Sequence, residues 1–178
     1  ITEANYHNFQ KQLENSNIYR YFWQFWSNYA FVFFIVAGII LATQYDFHST
    51  FGQILILSVI SFLIARGVLV TVINLCYERE RPYQKFGFRP ITSQFFSFRT
   101  RTPNSFPSRH AVAYFSVVAV VSLFVPVLGA VLFGVSLMGG AGRVVLGYHW
   151  PSDIIIGMLI GTIVGILTVY IGYPIIFT

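Results

Sequence analysis

The sequence predicts an all-α integral membrane protein in which five transmembrane helices follow an N-terminal interfacial helix. Three observations carry this expectation. Hydrophobic residues fill 56% of the 178 positions and charged residues only 10%, with a mean hydropathy of +0.66, a balance far from that of soluble domains. Long uncharged runs exceed the roughly 20 residues that cross a hydrocarbon core of about 30 Å. Aromatic residues, 19% of the chain, crowd the ends of those runs, where amphipathic rings settle at the membrane–water boundary. The length suits one domain over residues 1–178.

Residues 5–20 space Tyr6, Phe9, Leu13, Ile18 and Tyr19 among polar neighbours, the pattern of a helix lying in the interface. The polar character of residues 1–20 argues against a cleavable signal peptide. Residues 21–45 carry no charge over 25 positions and form the first expected span, anchored by Trp23 and Trp26. Residues 46–52 are a short turn, and 53–77 the second span, interrupted by Arg66. An intramembrane arginine faces the bundle interior or a wet cavity, so Arg66 is a functional candidate, with a purely structural partner as the competing reading. Residues 78–109 form a polar loop holding seven of the eleven basic residues and four helix-breaking prolines. The next 32 residues, 111–142, are uncharged and too long for one crossing; Pro126 and Gly129 divide them into the third and fourth spans. Residues 154–177 make the fifth, with Gly157, Gly161 and Gly165 at four-residue intervals, a small-residue packing face. Counting crossings places the 78–109 loop and residues 143–153 on one face of the membrane, together with the N-terminal helix.

The net charge of +5 implies an anionic partner in the membrane, either lipid head groups or a phosphorylated lipid. No nucleic-acid-binding motif accompanies it. A single cysteine, Cys76, excludes an internal disulfide and a cysteine-rich metal site, and no other metal-ligand cluster is visible, so no cofactor is expected.

Polar chemistry concentrates in three places. In Gly142-Arg143-Val-Val-Leu-Gly-Tyr-His149-Trp-Pro-Ser-Asp153, His149 and Asp153 stand four apart, so a carboxylate in the first turn of a helix can reach back to the imidazole and fix its tautomer, leaving one ring nitrogen as a nucleophile. A capping Asp beside an interfacial His is the competing reading. Arg143 offers a guanidinium fork for phosphate oxygens. In Asn104-Ser105-Phe106-Pro107-Ser108-Arg109-His110, Ser108 is a natural N-cap and Pro107 stops the helix extending backward. The N–H groups of Arg109, His110 and Ala111 are then free for an anion, and His110 can protonate a departing oxygen. In Tyr77-Glu78-Arg79-Glu80-Arg81-Pro82-Tyr83, Arg81 precedes a helix-directing proline at the mouth of this site, whereas Glu78 and Arg79 read as an interfacial salt-bridge cluster.

These residues together resemble the type 2 phosphatidic acid phosphatase superfamily, membrane lipid phosphatases whose helical core is shared with vanadium haloperoxidases. The family's three ordered motifs correspond to Arg81-Pro82, to Pro107-Ser108-Arg109-His110, and to Arg143 with His149 and Asp153. Asn74 stands where the family has Lys, Arg109 where it has Gly, and Gly142 where it has Ser. The five-span layout and the Arg-Pro-Tyr ending of the first motif look most like bacterial undecaprenyl-pyrophosphate phosphatases of the bacitracin-resistance type.

The resemblance implies metal-independent removal of the terminal phosphate of a polyprenyl diphosphate, with His149 as nucleophile, Asp153 orienting it and His110 as general acid. Arg81, Ser108, Arg109 and Arg143 would hold the phosphate oxygens. It also implies a bacterial inner-membrane location with an extracytoplasmic site. The positive-inside rule favours the opposite face, but phosphate binding accounts for most of the cations there. A lipid monophosphatase acting on phosphatidylglycerophosphate, phosphatidate or lipid A is the alternative, and a non-catalytic lipid-binding or transport protein a further one. The uncharged spans exclude a soluble haloperoxidase-like enzyme.

Overall fold

The computed structural model describes residues 3–45, 50–87 and 104–177. Most of the expected 46–52 turn and residues 88–103 of the polar loop therefore lie outside the described residues. Helix α1 spans Glu3–Asn15. Ser16 then ends it and caps α2, Asn17–Gln44, accepting from the N–H of Tyr19 at 3.3 Å, so the first long helix begins four residues earlier than its uncharged run. The second long helix, α3, covers Gly52–Cys76 and widens to a π-helix over Leu63–Leu69, around Arg66. After the short α4, Pro82–Lys85, come α5, Arg109–Phe124, α6, Pro126–Val145, and α7, Pro151–Phe177. No described residue lies in a strand.

Four helices, α2, α3, α6 and α7, are long and apolar enough to cross a membrane. The remaining expected span, α5, third in chain order, has 16 residues, about 24 Å at 1.5 Å per residue. Its length is set by the Ser108 cap at one end and by Pro126, the first residue of α6, at the other. It can be short because it is the central element: Val112, Phe115, Ser116 and Val120 are all but inaccessible. By contrast Ile39 on α2, Leu63 on α3, Val131 on α6 and Ile163 on α7 are more than half exposed, apolar faces suited to lipid rather than water.

Close approach of backbones holds α5 in place. At Gly157 a Cβ would come within 2.9 Å of Ala111 Cβ, and at Gly161 and Gly165 it would collide with the carbonyl oxygens of Val112 and Ser116. The four-residue glycine ladder is thus the seat of α5 on α7, where small residues let van der Waals contact replace the hydrophobic drive that lipid removes. Two glycines do the same between α6 and α2. A Cβ on Gly139 would meet Ala30 at 3.1 Å, and one on Gly142 the carbonyl of Trp23 at 2.9 Å. On another side α5 meets α3, where Ala65 and Val70 pack with Val112 and Ser61 Oγ donates to the Ser116 carbonyl at 3.5 Å. Val118 and Val121 pack with Leu132 of α6 and with Ala37 and Leu41 of α2.

Candidate active site

Three segments distant in sequence are laced together at one end of the bundle. Beyond α3, the chain at 77–79 pairs with 104–105: Ser105 N–H donates to the Arg79 carbonyl at 2.8 Å. The Asn104 side chain staples the pair, donating to the Tyr77 carbonyl at 2.5 Å and accepting from the N–H groups of Arg79 and Phe106 at 3.1 and 3.2 Å. Tyr83 N–H reaches the Gly147 carbonyl at 3.2 Å, and Ser108 N–H the Asp153 carbonyl at 3.1 Å. Gly147 makes the sharp exit from α6 with φ +77°, a conformation costly for any residue with a Cβ. The Phe106–Pro107 peptide is cis.

His149 lies within this lacing, 3% exposed. Its Nδ1 is 2.9 Å from the carbonyl oxygen of Ser105. A carbonyl only accepts, so Nδ1 carries the proton and Nε2 presents its lone pair. Asp153 Oδ2 stands 3.6 Å from Nδ1, longer than a hydrogen bond but close enough to balance an imidazolium. The sequence spacing assigned the tautomer to Asp153; the backbone of Ser105 sets it instead. The Asp153 carboxylate, wholly buried, has other donors: Ser105 Oγ at 2.5 Å, Trp150 N–H at 2.8 Å and Arg79 Nη1 at 2.7 Å. The bond from Trp150 N–H is a helix cap, so both sequence readings of Asp153, cap and imidazole partner, describe parts of one arrangement. Burial pushes the His149 imidazole from 6.5 down to about 4; the Asp153 contact opposes that shift, and the charges of Arg81 and Arg143 reinforce it.

Arg81 is the cation set against Nε2, and the charge of Arg143 also reaches His149. Arg81 donates from Nη1 to the Tyr148 carbonyl at 2.9 Å and from Nη2 to the Asn104 carbonyl at 3.1 Å, and the same Nη1 sits 3.4 Å from His149 Nε2. Two carbonyls therefore hold the guanidinium against the unprotonated nitrogen. Arg143 gives Nη2 to the Ser27 carbonyl at 2.9 Å, while its buried Nε has no partner among the described residues. Ser108 is buried and caps α5, its Oγ accepting from Ala111 N–H at 3.4 Å. Of the three N–H groups expected to be free, Ala111's is thus taken by the cap. His110 packs edge-on to Tyr114, within electrostatic reach of Arg66, Arg81, Arg143 and His149. Arg109, half-buried, lies close enough to Arg66 and Arg81 for their charges to interact. Among the described residues no three His, Cys, Asp or Glu side chains form a metal site.

The expected interfacial helix has a more specific position. Tyr6, Gln10 and Leu13 of α1 are buried, and Leu13 packs with Val145 and Leu146 at the end of α6. Tyr6 donates its hydroxyl to the His149 carbonyl at 3.2 Å and sets its ring edge-on to Trp150. The helix rests on the loop that carries His149.

The sequence profile of the PAP2 superfamily matches residues 54–176, well over half the chain and all three laced segments. The chain belongs to the PAP2 superfamily. A lipid A 1-phosphatase from Rhizobium johnstonii (strain DSM 114642 / LMG 32736 / 3841) is 28% identical over 107 residues, covering 57% of this chain and 41% of that protein. The chain therefore aligns with less than half the length of this curated relative.

Within the PAP2 pattern, the structure accounts for one departure directly. Gly142 replaces a serine because its Cα lies against the backbone of α2, where the Trp23 carbonyl leaves no room for a side chain. Asn74, in place of the family's lysine, accepts from Asn104 Nδ2 at 3.4 Å through its carbonyl, and its buried Oδ1 has no partner among the described residues. Three residues that hold the site were not singled out from the sequence. Arg79, read as part of a surface salt-bridge cluster, instead bonds Asp153 and stacks over Trp150 at 5.3 Å. Ser105 bonds both His149 and Asp153, and Asn104 fixes the backbone from which it does so. Charge alternation in Glu78-Arg79-Glu80-Arg81 conceals which cation turns inward, and the clue available was a polar Asn-Ser pair just ahead of a PAP2 motif.

Proposed function

We propose that this PAP2 protein is a lipid phosphate phosphatase that works through a phosphohistidine on His149, with a polyprenyl diphosphate carrier as its substrate. The observation that carries the reading is the state of His149: neutral, protonated at Nδ1, with Nε2 aimed at the Arg81 fork. A phosphate held by Arg81 is thereby presented to a nucleophile. Nε2 attacks the outer phosphorus as the bond from phosphorus to the bridging oxygen breaks, and His110 protonates that oxygen as the inner phosphate leaves with its lipid. Water, deprotonated by His110, then cleaves the P–N bond, releasing orthophosphate and restoring His149. Arg81, Arg143, Ser108 and the N-terminus of α5 stabilise the equatorial oxygens, and Arg109 adds a further phosphate contact. Asp153 balances the charge on the imidazole.

In this reading α5 completes a five-span bundle, the apolar tail lies between helices, and the site opens on the extracytoplasmic face of a bacterial inner membrane. Arg109, an added cation at a motif position usually held by glycine, supports a diphosphate substrate. The Rhizobium relative supports a second reading, in which the substrate is a phosphate monoester on a lipid such as lipid A.

Phosphate release from polyprenyl diphosphate, polyprenyl monophosphate, phosphatidate and lipid A, measured in one detergent, separates the two. Activity persists in excess EDTA, vanadate inhibits it, and His149→Ala lowers turnover far below a tenth of wild type, a loss above about 1.4 kcal/mol. Strict dependence on an added divalent ion, or a His149→Ala variant retaining more than a tenth of the rate, would overturn the mechanism.

A further inference from the structure

Arg66 is a cation at membrane depth for which the mechanism above has no use. It sits inside the π-helical segment of α3, its guanidinium 5.7 Å from the ring of Phe62. Its neighbour Ala65 is completely buried against Val112 of α5. The pairing of α3 with α5 fixes its depth. Ser61 meets Ser116 and Ala65 meets Val112, so successive turns of α3 climb toward the site as α5 descends from it. Arg66 therefore lies about one turn below the N-terminus of α5, on the lipid-tail side of the Arg81 fork. Arg109, Val112 and Ser116 follow one another at i, i+3 and i+7, which puts Arg109 on the α5 face that packs against α3.

No carboxylate among the described residues answers this charge. Asp153 is occupied by Arg79, Glu78 and Glu80 are exposed at the rim, and no described Asp or Glu forms an ion pair with Arg66 or Arg109. Cations held at such depth without a counterion are costly and mark an anion path. The widened π-turn, which costs hydrogen-bond geometry, is a frequent local distortion at functional sites.

We infer that Arg66 and Arg109 form a second anion subsite, which takes the inner phosphate of a lipid diphosphate while Arg81 and His149 engage the outer one. The inference rests on the phosphatase reading and adds the origin of its preference for diphosphates. In an extended lipid diphosphate the inner phosphate is the one nearer the tail, and Arg66 is the cation nearer the tail. A monophosphate fills the Arg81 fork and leaves the subsite empty.

The test compares wild type, Arg66→Gln, Arg66→Lys and Arg109→Gly by kcat/KM on polyprenyl diphosphate and polyprenyl monophosphate. In parallel, titration calorimetry measures binding of methylenediphosphonate, a non-hydrolysable diphosphate, against orthophosphate. Arg66→Gln lowers kcat/KM on the diphosphate about ten- to hundredfold, the size of one charge-assisted contact, and changes the monophosphate less than about threefold, which also shows that the variant folds. Arg66→Lys restores part of the loss. Wild type prefers methylenediphosphonate over orthophosphate, and Arg66→Gln loses that preference. Combining Arg66→Gln with Arg109→Gly costs less than the product of the single effects, because both contact one group. Equal losses on both lipids, or an unchanged binding preference, would overturn the subsite. Failure of the phosphatase reading has a different signature: wild type releases no phosphate from any lipid, while the binding preference and its loss in Arg66→Gln still report on the subsite.

Discussion

Removing the guanidinium of Arg79 tests whether Asp153 needs an outer partner. In the wild-type arrangement Nη1 meets Asp153 Oδ1 at 2.7 Å and Ser152 Oγ at 2.8 Å, and the guanidinium stacks over Trp150. Asp153 is fully buried, whereas the Arg79 side chain is 31% exposed. Stripping one partner from a fully buried ion pair costs about 3–5 kcal/mol. Here the carboxylate keeps its bonds from Ser105 Oγ and Trp150 N–H, and water can reach the space that Arg79 leaves. The expected loss is therefore that of one charge-assisted hydrogen bond, about 1.5–3 kcal/mol. Part of it falls on catalysis, because the carboxylate that relaxes is the one 3.6 Å from His149 Nδ1. Arg79→Ala should lower kcat on a lipid phosphate by about one to two decades, with a smaller change in KM, since the phosphate fork of Arg81 is untouched. Arg79→Lys, which keeps the charge but loses the planar stack, should fall between. Glu78→Gln and Glu80→Gln, side chains exposed at the same rim, should change kcat less than twofold. Steady-state phosphate release in one detergent measures all four variants. An Arg79→Ala enzyme with more than half of wild-type kcat would show that Asp153 is held by Ser105 and Trp150 alone.

The burial of His149 predicts a pH-dependent stability. Its native pKa, about 4 against an ordinary 6.5, means that the unfolded chain binds a proton that the native state refuses, so stability contributed by this residue is present above pH 6.5 and falls by about 3 kcal/mol as pH drops to 4. Melting curves in detergent should therefore separate wild type from His149→Asn across that window, and parallel curves would refute the assignment. Gly161→Ala places a methyl against the Val112 carbonyl and 2.9 Å from Ser116 N. It should destabilise the bundle by about 1–3 kcal/mol, whereas Gly38→Ala, with open space at its Cα, should be neutral or stabilising; equal melting temperatures would remove the glycine ladder from the account. Tyr6→Phe loses one hydrogen bond to the His149 carbonyl, worth about 0.5–1.5 kcal/mol, and should slow turnover several-fold with the ring packing kept. An unchanged kcat would make α1 a membrane anchor only.

The helices were legible because crossing a membrane leaves a long uncharged run that nothing else explains, and the Pro126 break and the glycine ladder punctuate those runs at the positions the structure uses. The limits of α5 were legible in the same way, since the Ser108 cap and Pro126, both read from the sequence, leave it sixteen residues. At the site, His149, Asp153, Arg81 and Ser108 were recoverable because their spacing around helix ends brings them to one face. The partners that fix them were not. Ser105 acts on His149 Nδ1 through its backbone carbonyl, which no side-chain pattern encodes, and Arg79 differs from Arg81 only in which way an extended segment turns. Tyr6 presented itself as one more apolar residue of an amphipathic stripe, and its hydroxyl found a partner 143 positions away.

The enclosure of α5 also bears on how the protein answers to different lipids. A bilayer that is too thick or too thin acts on helices that touch acyl chains, by tilting them or by drawing their ends inward. The helix carrying Ser108, Arg109 and His110 has nine of its sixteen residues buried and is gripped by α7 through contacts between backbones, so thickness reaches it only through its neighbours. Two of those neighbours, α3 and α7, contain π-helical turns at Leu63–Leu69 and Thr168–Gly172, where a change in tilt can be absorbed. Reconstitution in a series of phosphatidylcholines of increasing chain length should therefore shift substrate entry, read in KM, before it disturbs the hydrolytic step, read in single-turnover rates.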